Sequence, residues 1–262
     1  MRMVGVRARR LTTGIRRCLV LTALPAVGTL SALWLCAAEL TPSEATYARA
    51  AWVLVPDEVS PVSEEFRQRI ADATATVPKE VWRSLWAAGW RIQMAEFVTD
   101  AAPNLMGEQP RGWPAGLTWE NTDAVNLPQQ RIVVVAEKRR NRQGEVVPTW
   151  RAEGVFRHEL GHAYDRVGGD RNPHRSAHPS FLAAYQADLQ GLTEEDRKEL
   201  AYYLQGRGAG RQEAFAEAFA ILLGGGSDPT RRDRFVRAFP RVLAYVEKTL
   251  TEHATLTQTA RQ

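Results

Sequence analysis

The amino-acid sequence predicts an α+β domain in which a small mixed sheet precedes a helical bundle. Two observations favour this class. Between residues 90 and 136, two short segments show the alternating or β-branched character of strands. From residue 150 onward, apolar residues recur at helical spacing and glycine-rich runs separate the successive segments. We therefore expect one domain over residues 62–262, with no internal repeat.

The N-terminal residues predict an export segment. Residues 1–17 contain six arginines and no acidic residue, and residues 18–38 carry no charge. A basic start followed by an apolar run is typical of a signal peptide or a transmembrane anchor. We expect residues 1–17 to be a basic cytoplasmic region, residues 18–38 to be the signal or anchor, and residues 39–61 to be a linker. The domain would then lie outside the cytoplasm, secreted or anchored.

The net charge excludes a nucleic-acid-binding surface as the reason for the high pI. The whole chain has 34 basic and 30 acidic residues, a net charge of +4. Without the six arginines of the export segment, 28 basic residues face 30 acidic ones, a net charge of −2. Both cysteines, Cys18 and Cys36, also lie in that segment. The exported domain therefore has neither a disulfide nor a thiolate metal ligand.

The first half of the domain predicts short elements around two strands. Residues 62–70 have the spacing of an amphipathic helix, and Pro78 opens a second helix. Residues 90–98 alternate and predict a strand. Residues 101–130 are rich in proline, glycine and asparagine and predict a long loop. Residues 132–136 are strongly β-branched and predict the second strand.

The second half predicts mainly helices. The charged segment 138–148 is predicted to form a turn. Thr193 followed by Asp196 is a helix-capping signal, and the glycines at 224–226 end a helix. We expect helices at about 150–166, after Ser180, after Thr193, at 211–223 and at 233–251.

The residues His158, Glu159 and His162 form a His-Glu-x-x-His motif within the predicted helix 150–166. Positions i and i+4 share one helix face, so both imidazoles can bind one zinc ion. Glu159 then lies where a base is needed to activate a water molecule. Asp165 lies on the same face, and we expect it to help orient the ligand side chains without binding the metal itself. The alternative is a surface helix that happens to contain two histidines.

A third zinc ligand is predicted on the helix at 211–223. Catalytic zinc usually has three protein ligands and a water. This helix is apolar almost all round, and Glu213 and Glu217 lie one turn apart within it. Burying a carboxylate without a partner is costly. We expect Glu213 to bind zinc and Glu217 to accept a hydrogen bond from the free ring nitrogen of His158. The reverse assignment stays open, as do salt bridges to Arg207 or Arg211.

The segment 158–165 followed by 213–219 resembles the protease domain of anthrax toxin lethal factor and the secreted bacterial Pro-Pro endopeptidases. The resemblance spans about residues 90–223 and implies a zincin-like metalloprotease of the gluzincin type in a bacterial cell envelope. It implies one Zn²⁺ per chain on His158, His162 and Glu213, with Glu159 as the general base. It also implies that an edge strand binds the extended substrate, here through Val133, Val134 and Val135.

One position departs from this family. Its members carry a tyrosine seven residues before the ligand glutamate, and Gly206 occupies that position here. We predict that Tyr203 replaces it as the donor to the oxyanion; Tyr202 is the alternative, and either could simply pack on the helix.

The sequence predicts an extracytoplasmic zinc endopeptidase that acts on a peptide or protein. We expect no nucleic-acid partner, and membrane contact only through an uncleaved N-terminal segment. The alternative is a zinc-containing peptide-binding module at the cell surface, catalytically weak or inactive. A purely structural metal site is a third possibility, and it would require four protein ligands.

Overall fold

The computed structural model describes residues 56–110, 114–168 and 174–259, with side chains described as far as residue 251. All of them belong to one compact unit of mixed α and β structure. The predictions for residues 1–38, and for most of the linker, lie outside the described residues. Within the described ranges, no helix combines the length and the apolar character that a membrane crossing requires.

A four-stranded mixed sheet forms one layer. Its strands are β1 (Asp57–Glu58), β2 (Arg91–Ala95), β3 (Ala124–Leu127) and β4 (Ile132–Ala136), in the spatial order β1-β2-β4-β3. β2 runs parallel to both β1 and β4, whereas β3 runs antiparallel to β4. β4 is therefore a central strand, and all five of its residues are buried. Its β-branched sequence is what a strand covered on both faces requires.

Three predictions about this region are wrong. The strand at 132–136 is not a sheet edge, because β3 covers the side on which Val133, Val134 and Val135 were expected to bind substrate. β3 itself lies in the segment predicted as loop. It is only four residues long, too short to stand out from its Pro- and Gly-rich surroundings. β1 lies within the predicted linker, so the domain begins before residue 62.

The charged segment at 138–148 is also more ordered than predicted. It forms a hairpin of β5 (Lys138–Arg140) and β6 (Val146–Pro148). Asn141 shapes its turn, because its side-chain oxygen accepts hydrogen bonds from the backbone N–H groups of Gln143 and Glu145.

Helices pack on the sheet and on one another. Ser63 caps the first through the N–H of Phe66, and Thr193 and Asp196 form a capping box on a later one, as their spacing predicts. The helices are α1 (Glu64–Ala75), α2 (Lys79–Ala87), α3 (Val98–Ala101), α4 (Ala152–Asp165), α5 (Pro179–Gln190), α6 (Glu194–Glu199), α7 (Ala209–Leu222), α8 (Arg232–Ala238) and α9 (Pro240–Thr259).

The predicted C-terminal helix is divided in two. Phe239 separates α8 from α9 because the following residue is Pro240, which disfavours helical geometry in the residue before it. The buried carboxylate of Asp188, from α5, accepts hydrogen bonds from the backbone N–H groups of Arg241 and Val242. Asp188 therefore caps α9 from another part of the chain, an interaction that local sequence does not reveal.

The most extensive helix packing among the described residues joins α4 to α7. Gly161 on α4 faces Ala216 on α7, and a Cβ at Gly161 would lie only 2.8 Å from the Cα of Ala216. The buried rings of Tyr164, Phe215 and Phe219 fill the space beside this contact. Small residues at the crossing let the two backbones approach, which brings the side chains of the motif on α4 within reach of α7.

Candidate metal centre

Three ligand-type side chains converge between α4 and α7. The Nε2 atoms of His158 and His162 lie 3.1 and 3.2 Å from the Oε2 atom of Glu213. One ligand atom from each residue lies within 4.8 Å of the other two, and the described residues contain no other group of this kind. Tetrahedral zinc with bonds of about 2.0–2.2 Å separates its ligand atoms by roughly 3.3 Å. The three residues therefore fit a zinc site in donor type, and the two distances to Glu213 are close to the spacing that zinc requires.

Glu217 lies behind this group. It is fully buried, and its Oε2 atom is 2.9 Å from the Nδ1 atom of His158. Ser227 donates to the same oxygen from its hydroxyl at 2.6 Å and also donates from its backbone N–H. The structure thus brings Glu213, rather than Glu217, into the cluster with the two Nε2 atoms. Glu217 contacts the opposite side of one imidazole, where it can fix that ring's orientation.

The electrostatics of the cluster favour a cation. Burial alone would lower the pKa of His158, but hydrogen bonds with Glu213 and Glu217 raise it well above its ordinary value. Burial alone would raise the pKa of both carboxyls, yet the neighbouring imidazoles hold the pKa of Glu213 far below its usual range and lower that of Glu217. Two ionised carboxylates in a largely buried site require positive charge, which either a protonated imidazole or a metal ion bound by the neutral imidazoles can supply.

Glu159 is held beside the cluster at the edge of β3. The side-chain amide of Asn126 donates to the backbone oxygen of Glu159 at 3.1 Å and joins β3 to α4. Burial raises the pKa of the Glu159 carboxyl, while the charges of His162 and His158 oppose that rise. A carboxylate with a raised pKa at this position suits a general base.

Tyr202, rather than Tyr203, lies beside the carboxylates. Tyr202 is 45% exposed as a residue, but desolvation, the charges of Glu213 and Glu159, and a hydrogen bond with Glu213 raise the pKa of its hydroxyl, which stays protonated. The Tyr203 ring is buried against Phe235, with ring centroids 4.9 Å apart. The geometry therefore favours Tyr202, the alternative, over Tyr203 as the candidate donor. The two lie on successive positions of a 3₁₀ turn, where neighbouring side chains point in different directions.

Two cavities flank Glu159 and Tyr202. The first, of about 250 Å³, follows the N-terminal half of α4. The second, of about 360 Å³, follows its C-terminal half. Thr122 and Ala124, at the start of β3, line both cavities. The two cavities therefore adjoin each other beside β3 and the cluster, while Val133, Val134 and Val135 line neither cavity.

No known protein-family model matches the chain, and no curated protein does. Among solved structures, the chain is similar to the Pro-Pro endopeptidase PPEP-2 from Paenibacillus alvei. The identity is 21%, and the TM-score is 0.48. The match covers 73% of this chain and 96% of that one. Similarity at this level transfers no chemistry, which must rest on the chain's own residues.

Asp165 has a different role from the one predicted. Its buried carboxylate accepts hydrogen bonds from the backbone N–H and the hydroxyl of Ser176, at 2.6 and 2.9 Å, and pairs with His174 at 3.0 Å. It lies at the last position of α4 and contacts Ser176 in a separate 3₁₀ turn, Arg175–Ala177. Asp165 therefore anchors a wall of the second cavity; none of these contacts is to a residue of the cluster.

Asn126 and Ser227 belong to the site but have no signal in the sequence. Asn126 lies in a strand that was predicted as loop, and Ser227 follows the glycine run that ends α7. No motif spacing relates Asn126 or Ser227 to the histidines, because both residues reach the site only through the tertiary packing of distant segments.

Proposed function

We propose that this protein is a zinc-dependent endopeptidase that acts outside the cytoplasm. One observation carries the proposal: His158, His162 and Glu213 converge beside Glu159 and Tyr202, where two cavities adjoin each other beside the edge strand β3. Each of these residue types has a role in hydrolysis of a peptide bond.

His158, His162 and Glu213 would hold the zinc ion. Zinc bound there supplies Lewis acidity and lowers the pKa of a water molecule toward about 7. Glu217 would accept the Nδ1–H hydrogen of His158, which would leave the Nε2 lone pair available to bind the ion. The hydrogen bonds from Ser227 hold that carboxylate in place.

Glu159 and Tyr202 would act on the reacting atoms. The Glu159 carboxylate would take a proton from the attacking water and later deliver it to the leaving nitrogen. The Tyr202 hydroxyl would donate a hydrogen bond to the carbonyl oxygen as negative charge develops on it. Loss of one such donor typically lowers the rate by about 10²–10³. The position of Tyr202 supports turnover over the alternative of a peptide-binding module without catalysis.

β3 offers the surface for the substrate. Among the described residues its only strand partner is β4, so the outer edge can pair with an extended peptide through main-chain hydrogen bonds. Cavities on both sides of Glu159 would accommodate the chain on both sides of the cleaved bond, as an endopeptidase requires. Three ligand residues, rather than four, support a catalytic site over a structural one.

The location outside the cytoplasm rests on the sequence of residues 1–38. Their basic start and uncharged run support export and do not bear on the chemistry.

Cleavage of a peptide library by the zinc-loaded full chain tests the proposal, with Glu159→Gln as the matched variant. We expect Glu159→Gln to keep its zinc and its far-ultraviolet spectrum while cleavage falls by at least about 10². Cleavage by Glu159→Gln at the wild-type rate would refute the mechanism. Zinc and peptide binding by the wild type without any product would favour the binding module.

A further inference from the structure

Arg151 is fixed at the wall of the first cavity before any ligand arrives. Its Nε donates to the Oδ2 atom of Asp123 at 2.8 Å, and its Nη1 donates to the backbone oxygen of Ser227 at 3.1 Å. These bonds use two of the five N–H groups of the guanidinium. The side chain is 35% exposed and lines the cavity together with Val155 and His158. A charged donor is therefore preorganised in the wall of this cavity.

The charge of Arg151 is only partly balanced. Asp123 is 5% exposed, and its Oδ1 atom also lies 2.8 Å from the Nε of Arg139, as an ion pair without the alignment of a hydrogen bond. Two guanidinium groups thus share one carboxylate. Arg231, on the same cavity, lies 3.5 Å from its own partner, Asp228. At Asp123, two guanidinium groups meet one carboxylate, so this part of the wall has one unbalanced positive charge that can attract an anionic group. The carboxylates of Glu159 and Asp228 also line the cavity, so the attraction is local to Arg151.

The distance from Arg151 to Glu159 equals the length of a short extended peptide. Arg151 precedes the first turn of α4, and Val155 and Glu159 follow it at intervals of one turn on the same face. Eight helical residues rise about 12 Å. An extended peptide spans that distance in roughly four residues. A group bound by Arg151 would thus lie within about four residues of the cleaved bond.

We infer that Arg151 is a specificity-determining residue that binds a carboxylate of the substrate in the first cavity. The inference rests on the proposed function and names the class of peptide that function would act on. Guanidinium and carboxylate groups form charge-assisted pairs with matched planar geometry. The carboxylate can come from an aspartate or glutamate side chain or from the C-terminus of the peptide.

Two peptide libraries distinguish the sources. Both contain short random sequences, and they differ only in a C-terminal amide or a free C-terminal acid. The full-length zinc-loaded chain digests each, and mass spectrometry locates and counts the cleavage sites. Preference for an acidic residue at a fixed position in the amidated library indicates a side chain. Preference for the free-acid library, with cuts near its end, indicates the C-terminus.

Three variants separate recognition from structure. We expect the wild type to cut carboxylate-bearing peptides about tenfold faster than matched neutral ones. Arg151→Gln should abolish that ratio, and Arg151→Lys should retain part of it. Arg232→Gln removes the same charge from an exposed position outside the cavity and should leave the ratio unchanged. Partial unfolding lowers both rates together, so the ratio reports recognition only.

The inference fails separately from the proposed function. If the wild type cleaves peptides without preferring a carboxylate, or if Arg151→Gln keeps the preference, Arg151 has only a structural role and the endopeptidase stands. If neither library is cleaved, the proposed function fails and the inference falls with it.

Discussion

Replacement of Gly161 by alanine tests whether close helix packing forms the metal site. The added methyl group would lie 2.8 Å from the Cα of Ala216 and 3.0 Å from its carbonyl oxygen. Carbon atoms in contact are about 3.5–4.0 Å apart, so α4 and α7 would have to separate by roughly 0.7 Å. Overpacking costs about 1–3 kcal/mol, against a gain of about 1 kcal/mol when alanine replaces glycine in a helix.

The separation of the two helices should lower the zinc affinity more than it lowers the free energy of unfolding. It moves Glu213 away from both imidazoles, whereas metal–ligand distances must be correct to about 0.2 Å. We expect zinc affinity to fall at least about tenfold and the free energy of unfolding to fall by up to about 2 kcal/mol.

Competition with a chromophoric chelator measures the zinc affinity, and urea denaturation measures the stability. Gly206→Ala is the control, because its methyl group would meet no atom within 4 Å. A Gly161→Ala protein with wild-type zinc affinity and increased stability would refute the packing argument.

Three further substitutions address the site. Glu217→Ala leaves the Nδ1–H group of His158 without its carboxylate, so we expect zinc affinity to fall about 10–100-fold; unchanged affinity in the chelator assay would contradict the role of Glu217. Tyr202→Phe should lower kcat by about 10²–10³ with zinc content unchanged, whereas Tyr203→Phe should leave kcat within a few-fold of wild type. Steady-state kinetics that reversed the order of the two tyrosine variants would show that the wrong residue had been chosen.

The sequence could predict the local parts of this structure. α4 and α7 follow from their apolar spacing and from the glycines after them, and the structure confirms both. The group of His158, His162 and Glu213 was also expected, because burying Glu213 and Glu217 requires partners. The helices follow from spacing within one segment, which the sequence contains directly, and the grouping of Glu213 with the histidines follows from the need of a buried carboxylate for a partner.

The parts that were missed depend on contacts between distant segments. β3 has four residues and gains its stability from pairing with β4, so nothing local marks it as a strand. Once β3 was missed, β4 was mistaken for an edge. The choice between Tyr202 and Tyr203 depended on the rotational phase of a 3₁₀ turn followed by a glycine-rich loop, which the sequence does not determine.

Zinc content tests the central claim most directly. The full chain and its Glu213→Ala variant are loaded with zinc, dialysed side by side, and assayed for metal per chain by mass spectrometry. The geometry at Glu213 predicts about one zinc per wild-type chain and far less in the variant, with the same far-ultraviolet spectrum for both. Equal zinc in both proteins, or none in the wild type, would contradict it.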